Sequence, residues 1–356
     1  HMHDSLLIYV QHPCQQLIDN LPIMCLFRRN PQFYLFIHNI VALPRYRLQV
    51  TGYKLNTYVA VSAYTTGGHK TSELKEILNE ALRICDTYEL MFSRTNPDST
   101  LYKLNDSQIT TVPHELGELI SYGIQYADMS DGAFDITIGS VSSLWDFTSD
   151  NPAVPDDSDI QNALSYVDYT KLKLTENNDG TYTVDKPDKT IIDLGAIAKG
   201  YIADKIRNFL LEKSINRGII NLGGNVLCVG EKSSDNPFLI GIKKPFSEDS
   251  VPLVTLRLNN KSAVSSGNYE RYFYQDGKLY HHILNPSTGY PYDNGLSDVT
   301  IISDASVTGD CLSTTCFALG ADKGLKLIES LSGIEAMFVM SDGTIKYSSG
   351  FSSYLK

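Results

Sequence analysis

Residues 190–204 read TIIDLGAIAKGYIAD and change from one local pattern to another within this short stretch. The first part, residues 190–194, is an apolar run of the kind that predicts a buried strand. Gly195 interrupts the run, and the apolar residues after it have the spacing of one helix face. These residues are Ile202, Ile206, Phe209 and Leu210. The stretch therefore predicts a strand that turns at Gly195 into an amphipathic helix.

The predicted turn gathers polar groups at the start of the helix. Asp193 lies at the end of the predicted strand, and Lys199 lies in the first turn of the helix. The first backbone N–H groups of a helix have no partner within it, so they favour anions. This turn would therefore gather the Asp193 carboxylate, free backbone groups and the Lys199 ammonium. Such a strand-to-helix turn commonly holds an anionic ligand. The alternative is that Asp193 only caps the helix and that Lys199 is solvated.

The composition is that of an ordinary globular protein with a negative net charge. The chain has 356 residues, of which 42% are hydrophobic and 20% are charged, and its formal net charge is −11. Because nucleic-acid binding normally needs a cationic face, we expect no nucleic-acid partner. The six cysteines form no C-x-x-C pair, which argues against a structural zinc site. No apolar run reaches the roughly 18 residues of a membrane span.

The N-terminal segment, residues 1–46, follows no sustained helical or strand period. His1-Met2 is typical of a cloning remnant, so an export signal that once preceded it would have been removed. We assign no function to this segment and expect one domain over residues 47–356.

From residue 47 onward, predicted strands and helices do not strictly alternate. Three Asp-Gly turns, at residues 179–180, 276–277 and 342–343, predict β-hairpins. The predicted strand at 190–194, its helix and a strand that begins at Ile219 would form a right-handed β-α-β unit. We therefore predict an α+β fold, with mixed sheets, packed helices, hairpins and one β-α-β unit.

A second polar pair lies in a helix predicted to run from about residue 306 to 319. Asp310 and Thr314 are four residues apart, so their oxygens project from one helix face. A carboxylate and a hydroxyl are hard oxygen ligands that suit Mg²⁺. Water molecules and phosphate oxygens would complete the coordination shell of the ion. The alternative is that Asp310 sits at the helix N-terminus and that Thr314 bonds back to its carbonyl.

Two adjacent histidines, His281 and His282, end a predicted strand and enter a turn. Strand alternation places one of them in the core and the other in a cleft. A histidine near neutral pKa is a natural general base for a hydroxyl group. The alternative is two ordinary turn histidines, and no third ligand has a spacing that suits zinc. The preceding loop, residues 265–271, contains Gly267, where the backbone could approach a phosphate or a ring.

Taken together, five short blocks resemble, in order, those of the ApbE family, the FAD:protein FMN transferases, over roughly residues 50–356. Each block alone is weak, but five in the right order are specific. The blocks are FSRTNPDS (92–99), GAFD with LW (132–135 and 144–145), DLGAIAKG (193–200), SGNYER with HILNPSTG (266–271 and 282–289) and DCLST (310–314).

The resemblance implies an ApbE-like (T-fold-type) α+β fold and an enzyme that binds FAD with Mg²⁺ on its pyrophosphate. It implies transfer of FMN from FAD to a threonine hydroxyl of an acceptor flavoprotein, with release of AMP. The alternatives are hydrolysis of FAD to FMN and AMP, and FAD binding without catalysis.

The same resemblance implies roles for individual residues. Asp310, Thr314 and the backbone carbonyl of Ala196 would hold Mg²⁺. His282 would be the catalytic base, and Lys199 would offset charge on the pyrophosphate. The implied FAD contacts are Ala133, Phe134, Asp135, Asp193, Lys199, Ser266, Gly267, His282, Ile283 and Thr288.

The sequence departs from the family at some positions. Thr95 stands where an aromatic residue often stacks on the flavin, and Asn285-Pro286 replaces the usual Asp-Pro. Because family members usually work outside the cytoplasm on a lipid tether, the resemblance implies an extracytoplasmic, membrane-associated enzyme with a lipidated N-terminus. The alternative is a cytoplasmic enzyme.

Overall fold

The computed structural model describes residues 46–65, 68–232 and 236–356, so the expectations for residues 1–45 lie outside it. The strands of the described residues are β1 (Tyr46–Lys54), β2 (Thr57–Thr65), β3 (Thr111–Val112), β4 (Lys173–Glu176), β5 (Tyr182–Asp185), β6 (Gly218–Leu222), β7 (Asn225–Val229), β8 (Phe238–Ile242), β9 (Val254–Leu258), β10 (Ser262–Gly267), β11 (Tyr272–Gln275), β12 (Lys278–His281), β13 (Leu296–Ser303), β14 (Glu335–Met340) and β15 (Ile345–Tyr347).

The described helices lie between these strands in chain order. They are α1 (Thr71–Phe92), α2 (Thr100–Asn105), α3 (His114–Met129), α4 (Gly139–Ser142), α5 (Asp157–Leu164), α6 (Ala198–Glu212), α7 (Ser306–Leu319) and α8 (Ala321–Glu329), with short 3₁₀ turns at Tyr169–Lys171 and Phe351–Tyr354. None of them is both long and apolar enough to cross a membrane.

An eight-stranded sheet, in the order β1-β2-β6-β7-β10-β13-β14-β15, organises the fold, and all its neighbouring strands are antiparallel. Both of its faces are covered, since every residue of β6 and β13 is buried. One face packs against α1, α6 and α7 in the main core. The other face packs against the small β8–β9 sheet and Phe351. The predicted α+β class is confirmed, as are the three Asp-Gly hairpins β4–β5, β11–β12 and β14–β15.

The predicted strand at residues 190–194 is wrong, and with it the predicted β-α-β unit. This segment makes only a single parallel bridge, between Ile191 and Ile138. The side chain of Asn105 serves both backbone groups of Ile192: its Oδ1 accepts from the N–H and its Nδ2 donates to the carbonyl, both at 2.9 Å. The apolar run correctly signalled burial, but the hydrogen-bond partners are a side chain and a loop rather than a strand.

Helices α6 and α7 cross at close range, and two contacts fix the crossing. A methyl group at Gly200 in α6 would overlap the carbonyl group of Ser306 in α7, so the backbones meet where no side chain fits. The Asp204 carboxylate accepts hydrogen bonds from the backbone N–H groups of Ser306 and Val307, at 3.0 and 2.9 Å. Asp204 of one helix thus caps the start of the other. The crossing brings the first turn of α6 beside the middle of α7.

Gly200→Ala tests the close approach of the two helices. Alanine normally favours a helix interior over glycine by about 1 kcal/mol, but here the added methyl group must push α6 and α7 apart. We expect the free energy of unfolding in urea to fall by about 1–3 kcal/mol. Gly52→Ala is the control, because the added atom would meet its nearest neighbours only at 3.7–3.8 Å. A Gly200→Ala variant as stable as the parent would contradict the described crossing.

Candidate functional site

The first turn of α6 has backbone N–H groups without partners in the helix, as every helix start does. Gly200, the third residue of α6, is one of these, and its N–H donates to the carboxylate of Asp310 in α7. Asp310 therefore binds the N-terminus of α6. Ala196 lies two residues before this helix, and among the described residues its carbonyl accepts no backbone hydrogen bond.

Asp310 is a buried carboxylate with few compensating charges. Its side chain is only 4% exposed, and Asn225 Nδ2 donates to its Oδ1 at 2.9 Å. Burial raises the pKa of Asp310, while Lys199 and the hydrogen bonds from Asn225 and Gly200 lower it in part. Lys199 itself makes no ion pair with a described residue. A buried carboxylate of this kind is stabilised by an added cation.

Three hydroxyl groups form a cluster that joins β10 to α7. Ser266 Oγ in β10 lies 2.8 Å from Ser313 Oγ and 3.2 Å from Thr314 Oγ1. The hydroxyl of Ser313, not that of Thr314, bonds back to the Asp310 carbonyl, at 3.0 Å. Among the described residues no group of three or more His, Cys, Asp or Glu side chains could hold a metal. A cation at this position would therefore rely on Asp310, hydroxyl oxygens and the free carbonyl of Ala196.

The two histidines are in different environments, as strand alternation predicts. His281 is 3% exposed; its Nε2 donates to the Tyr292 carbonyl at 2.9 Å, and its Nδ1 accepts from the N–H of Ile283 at 3.3 Å. These bonds occupy both ring nitrogens of a neutral imidazole. The His282 side chain is exposed, and its backbone N–H bonds to the Arg271 carbonyl. Of the two rings, only that of His282 is open to a ligand.

The pKa of His282 is lowered from its usual value. Although the side chain is exposed at the surface of the cleft, surrounding protein atoms desolvate the ring, and the charges of His281, Arg271 and Lys199 act in the same direction. A lowered pKa keeps the imidazole neutral at pH 7, the form that accepts a proton. The charge of Lys199 lowers the pKa of both His282 and Asp310.

Asp193, five residues before α6, lies in a network of hydrogen bonds. Arg94 Nε donates to its Oδ2 at 2.8 Å, and Ser142 Oγ donates to the same oxygen at 2.9 Å. The N–H of Gly195 donates to its Oδ1 at 2.9 Å, so Asp193 does not cap α6 as the alternative proposed. Arg94 also bonds to Ser143 Oγ at 2.8 Å. The guanidinium therefore orients the Asp193 carboxylate and ties the loop after α1 to α4.

Residues 133–135 form a turn in which the side chains of Phe134 and Asp135 are buried. Phe134 is 5% exposed and packs in the main core. Both oxygens of Asp135 accept hydrogen bonds, from Thr137 at 2.7 Å and from the N–H of Tyr169 at 3.1 Å. The carbonyl of Ala133 accepts from Tyr292 Oη at 2.7 Å.

Tyr292 connects this turn to the histidine segment. Its backbone N–H bonds to the carbonyl of Ile283 at 3.0 Å, so Ala133 and Ile283 share one partner. The Ile283 side chain is buried in the main core. The other end of the segment is different: Thr288 is exposed, and its hydroxyl accepts only from the N–H of Tyr290, at 3.3 Å. No described contact joins Thr288 to the rest of the site.

A separate cavity of about 580 Å³ contains none of the predicted site residues. Its lining includes Asn105, Ser140, Asp159, Tyr166, Lys189 and Ile191. It adjoins the 190–193 segment but has neither Lys199, His282 nor Asp310 in its wall. This cavity is therefore separate from the residues predicted for the site.

Several residues of the site were missed by the sequence analysis. Arg94 and Ser313 lie inside blocks that were singled out, so a search for side chains able to reach Asp193 and Asp310 would have found them. Asn225 follows the Gly223-Gly224 turn, and nothing in its neighbourhood along the chain indicates a contact with a helix 85 positions later.

Comparison with known protein families identifies the family of the chain. The model of the ApbE family matches residues 55–338, which include every residue considered for the site. The chain belongs to the ApbE family.

Relatives and solved structures of the ApbE family match most of the chain. The FAD:protein FMN transferase of Klebsiella pneumoniae is 36% identical over 276 residues, which are 77% of this chain and 85% of that protein. That of Treponema pallidum is 32% identical over 293 residues, which are 78% of this chain and 81% of that protein. The crystal structure of the ApbE protein of Thermotoga maritima matches with a TM-score of 0.77 at 31% identity, covering 87% of this chain and all of the other. The flavin transferase ApbE of Vibrio cholerae matches with a TM-score of 0.76 at 25% identity, covering 88% and 100%.

Chemical labelling tests the environments of the two histidines. Diethyl pyrocarbonate modifies neutral, accessible imidazoles, so it should modify His282 and spare His281. We expect peptide mass spectrometry to find one carbethoxy group on the peptide that contains both residues. The label should disappear in His282→Gln and remain in His281→Gln, provided that both variants keep the parent's circular dichroism. Labelling that depends on His281 instead would contradict the assignment.

Proposed function

We propose that this ApbE-family enzyme is an FAD:protein FMN transferase that needs Mg²⁺ and modifies a threonine hydroxyl of an acceptor flavoprotein, with release of AMP. The observation that carries the proposal is the hydrogen bond from the start of α6 to the buried Asp310 carboxylate of α7, one residue after Lys199. Lys199 makes no ion pair with a described residue, and its charge lowers the pKa of both Asp310 and the exposed His282. Phosphoryl transfer requires mainly this combination of charge neutralisation, positioning and a base.

The residues present fit a magnesium ion. Asp310, the hydroxyl of Thr314 and the unpaired carbonyl of Ala196 would hold it, since each offers a hard oxygen at the crossing. The raised pKa of Asp310 supports this, because the buried carboxylate lacks a full counter-charge. When bound, Mg²⁺ would neutralise charge on the diphosphate of FAD.

The remaining work belongs to side chains of this chain. In the proposed reaction the threonine Oγ forms a bond to the phosphorus of the FMN half, and the bond from that phosphorus to the AMP oxygen breaks. His282 takes the proton of the attacking hydroxyl, which is otherwise a weak nucleophile. Lys199 offsets negative charge on the diphosphate and on the leaving AMP.

We also propose the contacts that hold FAD. Asp193, oriented by Arg94, would meet a polar edge of the dinucleotide. The backbone around Ala133, Phe134 and Asp135 would face it, since two of these three side chains point inward. The remaining contacts would be Ser266, Gly267, Ile283 and Thr288, as the family resemblance implies. With these contacts, residues 47–356 would be the catalytic domain. As the family resemblance implies, the enzyme would act outside the cytoplasm at a membrane.

Mass spectrometry of an acceptor distinguishes transfer from its alternatives. The chain is incubated with FAD, Mg²⁺ and an acceptor protein that the Vibrio cholerae flavin transferase modifies, with that relative as the positive control. An acceptor heavier by one FMN, with AMP in solution, supports the proposal. Free FMN and AMP with an unmodified acceptor would mean hydrolysis, and unchanged FAD would mean binding without catalysis.

His282→Gln tests the proposed base. We expect FAD to bind with unchanged affinity while transfer slows by about 10²- to 10⁴-fold, because no group then accepts the threonine proton. In the parent enzyme, the base form persists below pH 6.5 because the pKa of His282 is lowered. The rate should therefore stay level as the pH falls through 6.5 and decline only at lower pH. A normal rate in His282→Gln, or a greater loss in His281→Gln, would rule out this role.

Asp310→Asn tests the proposed metal ligand. We expect the heat of Mg²⁺ binding, measured by calorimetry in the presence of FAD, to disappear, because the charged ligand is lost. In the parent, the pKa of Asp310 is raised, so protons compete with Mg²⁺ for its carboxylate at a higher pH than at an exposed Asp. The affinity for Mg²⁺ should therefore fall as the pH is lowered. Asp322→Asn is the control, since the Asp322 side chain is 92% exposed. Unchanged Mg²⁺ binding in Asp310→Asn would remove the assignment.

A further inference from the structure

The register of the β11–β12 hairpin places the side chain of Arg271 beside that of His282. Tyr272 pairs with His281 at the end of the ladder, so the next two residues to face each other are Arg271 and His282. The N–H of His282 donates to the carbonyl of Arg271 at 3.2 Å, which extends the pairing by one step. Side chains of directly opposed residues lie on the same face of an antiparallel pair, with Cβ atoms about 5 Å apart.

The neighbouring aromatic pair shows which face of the hairpin this is. Phe273 and Tyr280 are opposed in the register, and their rings stack with a centroid distance of 5.4 Å. Trp145 packs next to both rings in a small buried core. Arg271 and His282 are each two positions from a member of this pair, so strand alternation places them on the same face. That face is the one that fastens the hairpin to the domain.

The charge of Arg271 acts on the His282 ring. Burial is the main cause of the lowered pKa of His282. The charge of His281 contributes next, followed by the charges of Arg271 and Lys199. A nearby cation disfavours the imidazolium form, as expected for neighbours across a strand pair. Cationic side chains from two elements, the hairpin and α6, therefore act on one imidazole.

The guanidinium of Arg271 has no partner in the part of the chain that the structure describes. Its side chain is exposed and makes no hydrogen bond, ion pair or ring contact there. Burial raises the pKa of Tyr269 and of Asp298, and the charge of Glu270 adds to both shifts, so the carboxylate next to Arg271 in the chain acts on these groups. Because Lys199 also lacks an ion-pair partner, two uncompensated cations remain for an anionic ligand.

The chain that precedes Arg271 leads to the proposed metal site. Ser266, five residues earlier in β10, has its Oγ 3.2 Å from Thr314 Oγ1 of α7. The N–H of Asn268 bonds to β13 at 3.0 Å, which holds the intervening loop in place. One short segment therefore connects the hydroxyl cluster at α7 to the residue opposite His282.

We propose that Arg271 is a phosphate-binding residue of the reaction, whose guanidinium holds the oxygens of the phosphoryl group that the threonine attacks. This inference rests on the proposed function, in which His282 takes the proton of the attacking hydroxyl. A residue beside His282 is then beside the phosphorus that this hydroxyl approaches. A guanidinium is always charged and presents a planar fork that matches two phosphate oxygens. The charge on these oxygens is what the site must stabilise in the transition state.

Protection of His282 from diethyl pyrocarbonate tests the phosphate contact without FAD or an acceptor. Inorganic pyrophosphate is the probe, and peptide mass spectrometry follows the labelling of His282. We expect pyrophosphate to slow labelling in the parent, and Arg271→Gln to need an about tenfold higher concentration, because a charge-assisted bond is lost. Arg271→Lys should keep part of the protection, since it retains the charge but not the fork. Arg257→Gln, which removes an exposed arginine of β9, is the matched control and should behave like the parent.

Transfer of FMN to an acceptor tests the catalytic part of the proposal. We expect Arg271→Gln to lower kcat by about 10²-fold and to raise the Kd of FAD, measured by flavin fluorescence, by about tenfold. Thermal melting should match that of the parent, because the side chain is exposed. Full protection by pyrophosphate in Arg271→Gln, or an unchanged kcat, would overturn the proposal. So would a raised KM for the acceptor with unchanged protection, which would show that Arg271 binds the acceptor instead.

The two assays separate this inference from the proposed function. If the parent transfers no FMN, the proposed activity fails, and the protection assay still decides whether Arg271 binds phosphate. If the parent and Arg271→Gln transfer FMN equally fast, the activity stands and the role of Arg271 is wrong.

Discussion

The close crossing of α6 and α7 is the constraint on which the rest of the site depends. Gly200 allows the two backbones to meet, and Asp204 fixes their relative position by capping α7. The crossing also places the Asp310 carboxylate where it accepts from the N–H of Gly200, one of the groups at the start of α6 that have no partner in the helix. The carbonyl of Ala196, two residues before α6, accepts no backbone hydrogen bond among the described residues. Residues more than a hundred positions apart become neighbours in a single polar site.

Burial has opposite effects on the two ionisable groups at this site. It raises the pKa of Asp310, which disfavours the anion, and it lowers the pKa of His282, which disfavours the cation. Each shift suits the role proposed for the group. An anion without a full counter-charge attracts a metal ion, and an imidazole that remains neutral accepts a proton. The charge of Lys199 lowers the pKa of both groups, so it favours the neutral imidazole and the carboxylate anion together.

Local signals in the sequence predicted much of the fold but little of its assembly. The Asp-Gly hairpins and the bounds of α7 follow from turn chemistry and periodicity, which neighbours along the chain determine. The segment 190–194 was misread because an apolar run reports burial and says nothing of hydrogen-bond partners. Asn105 supplies these partners from a distant part of the chain. The division between His281 and His282 was predictable because it depends only on strand alternation.

The contacts between distant segments could not be predicted from periodicity. The pairing of Arg94 with Asp193, and that of Asn225 with Asp310, depend on how helices and loops pack. The family resemblance supplied Asp310, Thr314 and Ala196 as a group. Spacing alone left Asp310 and Thr314 open to a purely structural role and did not indicate Ala196.

The most direct test of the central claim is a crystal structure of the chain with FAD and Mn²⁺, with the manganese located by anomalous diffraction. We predict one anomalous peak within bonding distance of the Asp310 carboxylate and the Ala196 carbonyl, in contact with the diphosphate of FAD. A diphosphate bound elsewhere, or a manganese ion without contact to α7, would contradict the account.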